Sequence, residues 1–75
     1  MEGNKMTYRY ENADRKSMKQ GNVYAFVDYM SHKFPKEFNG VTRANVEYND
    51  GIFTVWRDGY KEFFDVDGNF KGRKY

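Results

Sequence analysis

The chain contains no cysteine, no leucine, one proline and one histidine in 75 residues. The lack of cysteine excludes a disulfide scaffold, a thiolate zinc site, an iron–sulfur cluster and a thiol nucleophile. Small secreted domains usually need such staples, so their absence points to a reducing cytoplasm. Long apolar runs are missing as well. No stretch approaches the ~20 residues that span a bilayer, and the opening MEGNKMTYRYENADRKSMKQ has no apolar core of a secretory signal. We expect a soluble, cytoplasmic protein with no membrane partner. Charge of one sign is scarce too: 13 Lys+Arg against 11 Asp+Glu leave only +2, far from a strongly basic nucleic-acid binder.

What the chain has instead is aromatic surface. Seven Phe, seven Tyr and Trp56 make up 20% of the residues and supply the bulk that leucine does not. A chain of this length holds one small domain, residues 1–75, and buries only ~60% of the surface its unfolded state exposes. That leaves little room for a deep enzyme cleft.

The second half reads as a β-meander. Turn dipeptides stand at Asn39-Gly40, Asp50-Gly51, Asp58-Gly59 and Asp67-Gly68. Such pairs between alternating apolar stretches favour tight hairpins, because Asn, Asp and Gly tolerate positive φ. Strands are expected over 42–48, 52–57, 60–66 and 69–74. Treating Asp50-Gly51 and Asp58-Gly59 as two-residue loops sets Tyr48 opposite Phe53, Val46 opposite Val55 and Phe53 opposite Phe64. One face then carries Val46, Tyr48, Phe53, Val55, Phe64 and Val66. Two independent turns agree on it.

In the first half Val23, Phe26, Val27, Met30 and Phe34 recur at spacings of three and four, the stripe of an amphipathic helix. Ser17 with Gln20 resembles a capping box, and Asn22 after Gly21 is the alternative cap. Pro35 ends the helix. The pattern predicts one helix over about 17–33, extended on its buried side by Met18, Ala25 and Tyr29. Residues 6–10 alternate as a short strand would, and 1–12 reads as a flexible arm or an added edge strand. The fold expected is α+β, one helix packed on a three- to four-stranded antiparallel meander.

The opposite sheet face carries the candidate site. By the same register it presents Ile52, Thr54 and Trp56 beside Lys61, Phe63 and Asp65, with Arg43, Asn45 and Glu47 on the neighbouring strand. Trp56 is expected between Asn45 and Lys61. A Trp/Phe/Ile group rimmed by charge fits a protein partner, and Arg43, Asn45, Ile52, Trp56, Lys61 and Phe63 form the expected binding set. The competing structural reading folds Met6, Tyr8 and Tyr10 over this face as a second core. A nucleic-acid reading stacks bases on the same rings, with Lys71, Arg73 and Lys74 as phosphate contacts. A third reading pairs the face with its own copy, so the chain is expected as a monomer or a homodimer.

Other features reduce to structure. Asp65-Val66-Asp67-Gly68-Asn69 lacks the spacing of a calcium loop and reads as a hairpin turn. His32, the lone histidine, suits a helix C-terminus by its charge. Neither a phosphate loop nor a nucleophile elbow is present, so no enzyme activity, metal or cofactor is expected. In type, such a tiny aromatic-rich domain resembles small accessory proteins encoded by phages and mobile elements. That resemblance implies stoichiometric binding to a host protein or complex, as an inhibitor would bind.

Overall fold

The computed structural model describes residues 8–75. It is an α+β arrangement of two helices and a four-stranded antiparallel sheet in the order β1-β2-β3-β4. The strands are β1 (Val46–Asn49), β2 (Ile52–Trp56), β3 (Lys61–Asp65) and β4 (Phe70–Lys74), and α1 (Glu11–Met18) and α2 (Val23–Lys33) precede them. The expected register holds: Val46 pairs with Val55, Tyr48 with Phe53, Phe53 with Phe64 and Val55 with Glu62. At the first hairpin Asp50 and Gly51 have φ of 53° and 86°, the double positive-φ turn that the Asp-Gly pair favours.

The single helix expected over 17–33 is two. Gly21 breaks it at φ 85°, and a Cβ there would collide with the Tyr48 ring. Asn22 is the cap of α2, its Oδ1 accepting from the Ala25 N–H at 3.1 Å. Ser17 lies inside α1, a helix that begins at Glu11, six residues before the expected helix start. Its one buried residue, Met18, joins the core.

The strand expected over 42–48 begins only at Val46. Residues 43–45 form a 3-10 turn, closed by Thr42 and Asn45 through reciprocal side-chain bonds. Tyr8–Tyr10 lead into α1 through a turn and form no strand, and the remainder of the expected 6–10 strand lies outside the described residues.

Phe26, Met30, Phe53, Val55 and Phe64 bury together with Met18, Ala25, Val46 and Phe38. Phe26 stacks on Phe53 at 4.2 Å between centroids and meets Phe38 and Phe64 at 6.0 and 5.6 Å. Phe34, expected on the buried stripe, is the residue after α2 and is 46% exposed. Pro35 turns the chain there, so the stripe ends at Met30. Phe38, at 3% exposure, takes the place under the sheet that Phe34 leaves.

Candidate functional site

Strand alternation fixes which side chains share the outer face. Phe53, Val55, Glu62 and Phe64 point to the helices, so Ile52, Thr54 and Trp56 of β2 and Lys61, Phe63 and Asp65 of β3 point away. Both helices contribute their buried residues to the inner side. The outer face keeps Trp56 48% exposed.

The Trp56 ring is held in place without being covered. Its Nε1 donates to Glu47 Oε1 at 3.1 Å. Glu47 pairs with Thr54, so this bond runs on the strand diagonal, where long side chains still reach. On the other flank Lys61 Nζ lies 4.5 Å from the Trp56 ring centre and 6.0 Å from that of Phe63. A cation over two rings is attracted by their π faces, worth about 0.5–1 kcal/mol at an exposed site. Gly72 is paired with Phe63 and brings no side chain over it.

Four of the expected binding residues, Ile52, Trp56, Lys61 and Phe63, therefore come together. Two do not. Arg43 sits in the 3-10 turn with its guanidinium 5.0 Å from the Tyr24 ring, against α2. Asn45 does not flank Trp56, because its Oδ1 is occupied by the Thr42 N–H at 2.9 Å. Glu47 takes the place expected for Asn45, and the diagonal rule applied to the predicted register could have found it.

The basic tail also divides. Lys74 is paired with Lys61 at the rim of the outer face, whereas Arg73 is paired with Glu62 on the inner side. Lys71 falls where the β3–β4 register shifts, and it is exposed. The proposed phosphate contacts are thus not one patch.

Arg73 is already engaged. Its Nε and Nη2 donate to Glu62 Oε2 at 3.2 and 2.8 Å, and Arg57 Nε donates to Glu62 Oε1 at 2.8 Å. Burial pushes the Glu62 carboxyl up, but the bonds from Arg73 and Arg57 outweigh it and hold the group below the usual carboxylate range.

Two of the three residues of the competing cover for the outer face, Tyr8 and Tyr10, lie elsewhere. Tyr8 stacks on His32 of α2 at 3.9 Å between ring centres, and Tyr10 is 58% exposed. Met6 lies outside the described residues. His32 Nδ1 donates to the Asp28 carbonyl at 2.8 Å in the last turns of the helix. Beneath Tyr8, burial and the Asp28 carboxyl raise Asp14 to about 6. Among the described residues no group of three His, Asp or Glu side chains could hold a metal, and no helix is long and apolar enough to cross a membrane.

Comparison with protein families, with curated proteins and with solved structures finds no match.

Proposed function

We propose that the chain is a small non-enzymatic protein-binding module that docks through the Trp56–Phe63 face. It acts by occupancy, as a stoichiometric inhibitor of the phage and mobile-element type, in a reducing cytoplasm. The observation that carries this reading is Trp56 itself: half exposed, yet fixed by Glu47 on one side and Lys61 on the other. A ring that is already ordered loses little freedom on binding, and aromatic anchors dominate interface energetics. Ile52 and Phe63 widen the apolar centre around it, and Lys61 and Lys74 provide a charged rim.

The test is capture from cell lysate with the immobilised chain and with its Trp56→Ala variant, with and without nuclease. A partner held by the first, lost by the second and indifferent to nuclease supports the proposal. Partners retained by both would place the contact elsewhere.

One observation favours nucleic acid as the second reading, namely Lys74 beside Lys61 at the edge of the Trp56 and Phe63 rings. Two phosphate contacts on a single strand give a salt slope of roughly −1.4, so affinity would fall about sevenfold between ~50 and ~200 mM salt. Nuclease-sensitive binding with that slope would replace the protein reading.

A further inference from the structure

On the inner side of the sheet the helices cover only part of the surface. Under β3 and β4 a groove of about 540 Å³ remains open, within the range of small-molecule sites. It lies away from the Trp56 face, and the proposed function does not use it. Its walls are aromatic. Phe34 and Phe70 both line it, and they are 46% and 52% exposed.

The groove also carries charge. Arg57 and Arg73 converge on the single carboxylate of Glu62, a cluster with one net positive charge, and Glu37, also in the lining, balances it overall. The Glu37 carbonyl accepts from Arg57 Nη1 at 2.9 Å, and its carboxylate forms no ion pair with either guanidinium. The side chains of Glu62 and Arg57 are 9% and 18% exposed, but that of Arg73 is 43% exposed. Arg73 also lies 5.3 Å from the Phe70 ring centre and 5.6 Å from that of Tyr60, so a part-exposed guanidinium and an uncovered apolar wall meet at one point.

From this juxtaposition we infer that the groove is a binding site for a small aromatic or alkyl carboxylate. The apolar body lies between Phe34 and Phe70. The anionic group meets the exposed edge of Arg73, where charge complementarity favours an anion over a neutral or cationic head of the same shape. Glu62 serves as a positioning residue, holding Arg57 through one carboxylate oxygen and Arg73 through the other.

The experiment is an amide-resolved NMR titration of the full chain with 1-naphthoate, 1-naphthylmethanol and 1-naphthylmethylammonium. The expected result is saturable binding of naphthoate, with shifts at Phe34, Phe70 and Arg73 and none at Trp56 or Phe63. It binds at least tenfold tighter than the alcohol, and the ammonium binds most weakly. Arg73→Gln should remove most of the difference between acid and alcohol. Phe70→Ala, at a half-exposed edge position, should weaken both. Equal affinity for acid and alcohol, no saturation by millimolar ligand, or shifts centred on the Trp56 face would overturn the inference.

Discussion

Asp14→Asn is the perturbation with the most specific signature. Asp14 is half buried in α1, between the Tyr8 hydroxyl and the Asp28 carboxyl, with His32 nearby. Burial comes first among the causes that raise its carboxyl from 3.8 to about 6, the Asp28 carboxyl adds to it, and Tyr8 and His32 oppose it. The folded chain therefore holds this proton more tightly than the unfolded chain. The resulting stability is complete below about pH 4 and is lost as pH rises through about 6. Two pKa units would correspond to about 3 kcal/mol, and solvent screening of a half-buried group reduces this to about 1–2 kcal/mol. The amide cannot ionise, so Asp14→Asn should stabilise the fold by that amount at pH 7 and by almost nothing at pH 4. For a domain of this size the gain corresponds to a Tm about 5–10 °C higher at pH 7. Thermal melts of both proteins at the two pH values measure the double difference, which cancels the opposite contribution of Glu62, whose carboxyl is held low. A variant no more stable at pH 7, or one with the same offset at both pH values, would refute the reasoning.

Two further substitutions probe the fold. Phe26→Ala removes a fully buried ring that touches three others and should cost about 3–5 kcal/mol, enough to abolish a cooperative melt in a marginal domain; a melt within a few degrees of the parent would contradict the assigned core. Gly21→Ala forces a left-handed residue and a collision with Tyr48, so a loss of about 2 kcal/mol or more is expected in urea unfolding; an unchanged midpoint would mean that the α1–α2 break is not fixed by this glycine.

The sheet was legible because its turns and its apolar alternation are local signals that had to agree. Asp50-Gly51 and Asp58-Gly59 set the pairing of Phe53 with both Tyr48 and Phe64, and the structure has both pairs. The helical half was less legible. Gly21 sits inside a stretch whose periodicity runs on past it, and its break depends on a tertiary neighbour, Tyr48, that no local pattern reveals. Phe34 and Phe38 are four residues apart on either side of Pro35, and which one turns inward depends on the path of the turn. Of the candidate site, alternation alone placed Ile52, Trp56, Lys61 and Phe63 on one face. It misplaced Arg43 and Asn45, because the Thr42–Asn45 cap competes with strand pairing. The Glu62 cluster went unread for a different reason. A charged residue on the core face is visible in the register, but the two arginines that satisfy it come from the β2–β3 turn region and the last strand.

On the proposed function, Trp56 faces a partner and does not hold the fold together. Its most direct test sets the affinity of Trp56→Ala for the captured partner against the Tm of the same variant. Loss of an interface anchor should raise Kd about thirtyfold or more, which is about 2 kcal/mol. The exposed Glu47 bond, the Lys61 contact and the covered half of the side chain go with it, so Tm should fall far less than on loss of a core ring. Unchanged affinity, or a Tm drop as large as that of a core ring, would contradict the account.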